Sequence, residues 1–472
     1  MVFSSLFFLF FFLPLNIILY YSTKNSTLRN IILIVFSLIF YAWGEPVWVG
    51  LLLISTIVDY YNGIFIEKHQ GKTMATIGII VTLIFNLGIL MTFKYSDFII
   101  ENVNFLLGTK FKEPHFLLPI GISFYTFQSI SYCIDVYKGQ VKAQRSFINY
   151  LLFISLYHQL VAGPIVRYSH IANEIENRVF SWEDFSSGVT RFCKGLFKKV
   201  AIANFAGEIC TQFLDKDISE MTPLAGWYGI FIYGIQIYFD FSGYSDMAIG
   251  LGRMFGFHYH ENFNHPFISR SITEYWRRWH ISLSTWLSDY VFMPVMIKFR
   301  DHKNFSVFFG IFFTFFISGL WHGASWNFIL WGLYFGIWVY LEKIFIIKSM
   351  KKIPGFLHHI YFIILILPSW SLFYFTDLGK LTEFWKMLMN FSAYGNQNIE
   401  LEFSIRQNIF WIIFAIVLCL PVYQWITKFL EQKTKKNALF HSSEILMNIV
   451  FLFVSVMFLV GSSYNPFLYF RF

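Results

Sequence analysis

Between Met1 and Tyr21 the chain carries no charged residue, and the stretch is almost uninterrupted Phe and Leu. A bilayer core takes about 20 apolar residues per helix, so this run reads as a membrane segment. No basic stretch precedes it and no small-residue cleavage site follows, which marks a retained span rather than a cleaved leader. Comparable runs recur at 30–44, 47–66, 76–96, 116–137, 147–166, 223–250, 304–324, 325–347, 355–375, 408–428 and 443–462. Several carry Gly, Pro or charge, so some are expected to be broken or re-entrant.

Composition excludes a soluble alternative. Only 14% of the 472 residues are charged and 56% are hydrophobic, whereas a soluble domain carries about 25% charged residues. The 61 Phe residues could fill a large core, but a soluble chain would still need a polar exterior. Too little polar material remains to build one. The expectation is an all-α integral membrane protein of about ten to twelve membrane helices. It forms one multi-pass domain over residues 1–472, with no internal repeat and no soluble module.

The net charge of +8 would suggest nucleic acid in a soluble chain. Here the basic residues lie in short clusters between apolar runs and read as cytoplasmic loop charges and headgroup anchors. Lys298, Arg300 and Lys303 form one cluster, and Lys343, Lys348, Lys351 and Lys352 the next. Lys428, Lys433, Lys435 and Lys436 form a third. Placing all three in the cytoplasm puts the 376–407 loop and the C-terminus outside. Cys133, Cys193, Cys210 and Cys419 show no CxxC pair or metal-ligand spacing and read as small packing residues.

One segment differs from the rest. Ser181, Glu183 and Asp184 offer a helix start. Phe185, Val189, Phe192, Leu196 and Val200 then recur at helical spacing, with Arg191, Lys194, Lys198 and Lys199 mostly on the other side. That pattern predicts an interfacial amphipathic helix on the cytoplasmic leaflet.

Two blocks carry candidate chemistry. The first, 236–290, holds Asp240, Asp246, Arg253, Glu274, Arg277, Arg278, His280 and Asp289. A central Arg, Lys or Asp costs roughly 2.5–3.5 kcal/mol in a lipid-facing helix. Residues 272–290 must therefore face protein, water or the interface. Buried ionisable groups suggest function, against the plainer reading of an ion-pair network that orients helices. The second block, 317–336, reads ISGLWHGASWNFILWGLYFG, with His322 the only strongly ionisable residue between Lys303 and Glu342. A lone histidine on an apolar helix is more often a packing residue. Gly319 with Gly323, and Gly332 with Gly336, make small-xxx-small steps that suggest close helix packing, or cleared space beside the imidazole. His258, His260 and His265 sit in a loop without a metal-ligand pattern, and no metal is expected. His358 and His359 read as interfacial. No HExxH motif or GxSxG elbow occurs, and GLGRMFG misses the dinucleotide fingerprint.

At these blocks the chain resembles the membrane-bound O-acyltransferase family, in the bacterial branch of alginate O-acetyltransferases and D-alanyl lipoteichoic-acid transfer proteins. The resemblance rests on MVFSSLFFLFFFLPL, LPIGISFYTFQSISYCIDVYKG (118–139) and HQLVAGPIVRY (158–168). DFSGYSDMAIGLGRMFGF (240–257), ENFNHPFISRSITEYWRRWHISLSTW (261–286) and SGLWHGASWNFILWGLYFG (318–336) complete it. The signature-bearing region is 118–336. The resemblance implies His322 as the active-site histidine and His280 as a second functional histidine. Arg277 and Arg278, read as sharing a helix with His280, are expected at the donor, together with Asp240, Asp246, Trp321 and Gly323. It also implies acetyl-CoA as acyl donor, helices around a central funnel, and an extracytoplasmic SGNH-type acyltransferase as partner. The acceptor would be peptidoglycan or an alginate-like exopolysaccharide, and the location the bacterial cytoplasmic membrane. Two departures from the family pattern, DYVFMPVMIKFR after the 261–286 motif and Tyr157-His158 before Gln159, bear on acceptor or partner. D-alanyl transfer, a proton-coupled transporter and a recruiting scaffold are the alternatives.

Overall fold

The computed structural model describes residues 1–350, 352–395, 397–422, 425, 438–461, 467 and 468, and the side chains of 438–442 are left aside. The third lysine cluster and the end of the 408–428 run lie outside the described residues. Among those described, every regular element is a helix. Among the described residues, seven helices are long and apolar enough to cross a membrane: Val49–Lys68, Thr73–Leu107, Lys303–His322, Trp326–Met350, Gly355–Tyr374, Ile399–Cys419 and Ser443–Gly461. Phe8–Tyr21 and Ser26–Ala42 are shorter apolar helices. The protein is therefore an all-α, multi-pass membrane protein. The chain divides into two compact units, Met1–Leu196 with Tyr244–His260, and Phe197–Gly243 with Glu261–Phe472.

In the first unit, the N-terminal phenylalanine run separates into two faces. Phe3, Phe8 and Phe12 are buried, while Phe7, Phe10 and Phe11 are 42%, 61% and 58% exposed. The buried rings pack on Phe40 and Tyr157, with Phe12 edge-on to Tyr157 at 5.5 Å. The four-residue step from Phe8 to Phe12 puts both rings on one side of the helix. Ile122–Tyr137 was expected to be a span, but Thr126, Gln128, Ser129, Ser131 and Asp135 on it are all buried. It is enclosed by protein, as its polar load requires. The 147–166 run is not one span either. It breaks into Phe147–Ser155 and Tyr157–Leu160.

The amphipathic helix Trp182–Phe197 forms as predicted, but it packs on protein: only Trp182, Glu183 and Ser186 in its opening turns are exposed. A Cβ on Gly188 would stand 2.7 Å from the carbonyl of Gly250, and one on Gly250 would stand 2.6 Å from that of Gly188. The two backbones cross in contact. Its basic residues do not all face out. Arg191 turns inward onto Asp246, with Nε 2.7 Å from Oδ1.

In the second unit, helix Lys303–His322 packs antiparallel on Trp326–Leu341 through Gly319 and Gly332. A Cβ on Gly319 would lie 2.3 Å from the Phe328 carbonyl, and one on Gly332 would lie 2.3 Å from that of Phe315. Close packing is thus the role of this pair. At Gly336 a Cβ would meet Phe312 and Phe315 only at ordinary contact distances, 3.5 and 3.6 Å. All four cysteines are free and buried, as their reading as packing residues anticipated.

Gly319→Ala is expected to destabilise the purified protein by about 1–3 kcal/mol, as overpacking against fixed backbone does. Gly336→Ala should leave the thermal midpoint within error. Equal midpoints for the two variants would contradict the assigned crossing.

Candidate active site

The second unit brings both candidate histidines together. Helix Lys303–His322 ends at His322, and the next residue, Gly323, is extended with φ −173°. His322 is 5% exposed. Trp331 and Phe373 lie edge-on to its ring, at centroid separations of 4.8 and 5.2 Å. The imidazole forms part of the wall of a small, partly open pocket whose remaining lining is mostly aromatic: Tyr275, Trp279, Trp331, Phe335, Trp370 and Phe373. Ser369 also lines it, with its hydroxyl donated to the Ile366 carbonyl at 2.6 Å. Among the described residues, no carboxylate or cationic side chain lines this pocket.

His280 is reached differently from the sequence expectation. Residues 272–290 are not one helix. Ile272–Trp276 and Ile281–Leu287 are separate short helices, and His280 stands at the joint in the left-handed region, φ 44°. Arg277 and Arg278 therefore do not share a helix with His280. A non-glycine residue in this conformation costs of the order of 1–3 kcal/mol and persists only when its surroundings hold it. Asn262, fully buried, does the holding. Its side-chain oxygen accepts from the Ser282 amide at 3.2 Å and the Ser282 hydroxyl at 2.8 Å, and lies 3.1 Å from His280 Nδ1. With Nδ1 as donor, Nε2 is the basic nitrogen of the neutral ring. His280 belongs to none of the candidate spans. Burial, and then the neighbouring His322, push its imidazole well below the ordinary range. Trp321 connects the two histidines, 5.7 Å from the His280 ring and 4.9 Å from that of His322.

Glu342 supports the same segment. Its buried carboxylate accepts from the amides of Ile272 and Thr273, each at 2.7 Å, and from the Tyr361 hydroxyl at 3.1 Å. An acid beside a lysine cluster reads in sequence as an interface residue, so this anchor could not be anticipated. Asn262 likewise stood in the ENFNHP motif without any spacing that gave it a role.

The other expected site residues are distributed as follows. Arg278 is held by Glu274 at 2.9 Å and donates to the Asn264 carbonyl at 3.2 Å. Arg277 is exposed. Asp240 does not line the pocket. Its Oδ1 is 2.6 Å from Lys199 Nζ, both side chains being 3% exposed, and its Oδ2 accepts from the Leu468 amide at 2.9 Å. Lys199 also donates to Asn204 at 2.8 Å. The lysine expected on the headgroup side is therefore buried, because a carboxylate on helix Pro223–Met254 needs its charge. Asp246 belongs to the first unit, paired with Arg191. At Gly323 a Cβ would enter the Phe328 ring at 2.2 Å, so the missing side chain is filled by packing rather than left open for substrate. Among the described residues no cluster of His, Cys, Asp and Glu could hold a metal.

Comparison with known proteins agrees with this arrangement. The model of MBOAT, the membrane-bound O-acyltransferase family, matches residues 141–378, which include both histidines and most of the pocket wall. A probable alginate O-acetylase of Azotobacter vinelandii is 39% identical over 409 residues, 85% of this chain and 80% of its own. The peptidoglycan O-acetyltransferase of Helicobacter pylori is 30% identical over 525 aligned positions, covering 100% of this chain and 98% of its own. The teichoic acid D-alanyltransferase of Bacillus subtilis is 32% identical over 236 residues, 48% of this chain and 59% of its own. The protein belongs to the membrane-bound O-acyltransferase family and is an acyltransferase.

Removing one partner of a buried ion pair leaves an uncompensated charge at a cost of about 3–5 kcal/mol, whereas an apolar replacement of both is often neutral. Lys199→Met and Asp240→Leu are each expected to lower the yield of folded protein and its thermal midpoint. The double variant should recover most of both. A double variant no better than the worse single one would show that Asp240 does more than balance Lys199.

Proposed function

We propose that this acyltransferase moves acetyl groups from cytoplasmic acetyl-CoA to an extracytoplasmic polysaccharide, with residues 1–472 acting as one domain in the bacterial cytoplasmic membrane. The observation that carries the reading is the buried His322 in the wall of an aromatic pocket, one tryptophan away from a second buried histidine. The relatives named as O-acetylating enzymes, whose matches cover most of the chain, support acetyl as the group and peptidoglycan or an alginate-like polymer as the acceptor.

In this reading His322 is the general base. Neutral imidazole accepts the proton of an attacking hydroxyl as its oxygen bonds to the thioester carbonyl carbon. The carbon–sulfur bond then breaks, the proton passes to the leaving sulfur, and an ester and a free thiol remain. The hydroxyl belongs to the glycan or to a serine of an extracytoplasmic SGNH-type acyltransferase that carries the group onward. His280, its Nδ1 turned to Asn262, presents Nε2 as the second functional nitrogen. Trp321, between the two rings, fixes their separation. Arg277, exposed and without a carboxylate partner among the described residues, is the cation best suited to the donor's phosphates, with Arg278 beside it. Asp240 and Asp246 would act through the bases they hold. The matched D-alanyltransferase keeps D-alanyl transfer as the second reading.

His322→Ala is expected to insert and fold normally yet abolish O-acetylation. The measurement is ester-linked acetate in purified cell wall and in exopolysaccharide from wild-type, deletion and His322→Ala strains. Loss from the same glycan in both mutants, with the variant protein still in the membrane, identifies the acceptor. Acetate at the wild-type level in the His322→Ala strain would remove His322 from the mechanism.

A further inference from the structure

In the first unit, a second, partly open pocket is lined by three arginines, Arg29, Arg178 and Arg253. They come from three separate parts of the chain, beside Tyr20 and Tyr21 at the end of helix Leu13–Tyr21. Three guanidinium groups converging on one cavity repel each other unless an anion joins them. Among the described residues no carboxylate lies within ion-pairing distance of any of the three. The one acid in the lining, Asp184, is occupied: His258 Nε2 stands 3.2 Å from it, and His258 Nδ1 stands 2.8 Å from Glu174. Burial works to lower the His258 pKa, but these two carboxylates outweigh it and raise it above the ordinary value.

The arginines are placed, not loose. Arg178 donates Nε to the Tyr20 hydroxyl at 3.1 Å and Nη1 to the Glu174 carbonyl at 3.1 Å, bonds Asn30 through Nη2, and lies 4.6 Å over the Phe257 ring. Arg29 uses only Nε, bonded to the Thr23 carbonyl at 2.8 Å, and stacks over Tyr20 at 5.0 Å. Arg253 makes one long contact, 3.4 Å from Nη1 to the Ser187 hydroxyl. Arg178 therefore sets the frame, while the outer nitrogens of Arg29 and Arg253 retain donors for a ligand. An array of fixed planar forks fits a phosphate group better than a point charge does.

The rim points to the origin of that phosphate. Val179, Phe180 and Trp182, next to the pocket in sequence, are 80%, 39% and 76% exposed. Exposed Trp and aliphatic side chains at the start of an amphipathic helix are features of the membrane interface. We propose that this arginine pocket binds a phosphate ester, the headgroup phosphate of an anionic phospholipid, and so fixes the start of helix Trp182–Phe197 at the bilayer surface.

The test uses the full-length protein, delipidated in detergent, with phosphatidylglycerol as the lipid probe and inorganic phosphate and adenosine 3′,5′-bisphosphate as soluble probes. Binding is read by native mass spectrometry and by thermal shift. Phosphatidylglycerol should bind and stabilise the wild type. Arg29→Gln and Arg253→Gln, on different helices, should each weaken it about tenfold or more, as loss of a charge-assisted hydrogen bond does. Lys72→Gln, at an exposed lysine outside the pocket, should not. If the soluble probes bind instead, and the arginine variants lose them, the phosphate site stands and its source is soluble. Lipid and soluble-probe binding unchanged in both arginine variants would overturn the proposal. Should one variant fail to fold, the other decides by the same comparison.

Discussion

Lipid offers a polar group no hydrogen-bond partner, so every such group taken into the apolar interior must be matched within the protein. The structure is organised around meeting that requirement. In the first unit, Asp59, inside a candidate span, is fully buried, and the side-chain amide of Asn86 donates to both of its oxygens at 2.9 and 3.0 Å. In the second, Asp240 and Lys199 neutralise each other with both heads enclosed. Glu342 receives the opening amides of helix Ile272–Trp276. Such matching also lets the chain depart from a simple spanning helix: Lys199 lies in a π-helical stretch and Glu342 holds a short, broken helix, while Asp59 stays within the continuous helix Val49–Lys68.

The break at His280 shows how. A continuous helix through 272–290 would require Arg277, Arg278 and His280 to share one rigid cylinder, with either cations carried into the core or the histidine carried out. Ending the helix at Trp276 and turning at His280 separates them. Arg277 stays exposed while His280 is 1% exposed. The left-handed turn is affordable because Asn262 supplies one acceptor to several donors around it. Neutral hydrogen bonds contribute about 1 kcal/mol each, enough in sum to offset strain of about 1–3 kcal/mol. Asn262 therefore determines which way His280 faces, although it carries no charge.

How much of this could be read from the chain depended on residue type. Charge density and the length of the apolar runs were sufficient for the membrane class. The N-terminal run concealed its own orientation, since burying Phe8 rather than Phe7 cannot be told from a sequence of identical residues. Residues 147–166 are as apolar as a span, yet they break after Ser155, because apolarity is also what a buried, irregular segment needs. Lys199 followed the polar face of its helix by spacing, but spacing does not reveal a buried carboxylate on another element. His322 was isolated by being the one ionisable residue in its stretch. His280 was visible as a residue and its location was not, because Asn262 lies 18 positions away.

Under the proposed function, the pocket wall would also bear on which acyl group is transferred. Among the described residues its lining offers no carboxylate, and an acetyl group would need none, since it carries no charge. A D-alanyl group brings an ammonium at neutral pH. Moving that ion out of water costs several kcal/mol even after relaxation. A cation over an aromatic face recovers about 2 kcal/mol or somewhat more when desolvated. The surrounding Trp and Tyr rings thus offset part of the cost and leave a deficit that a buried carboxylate would have removed.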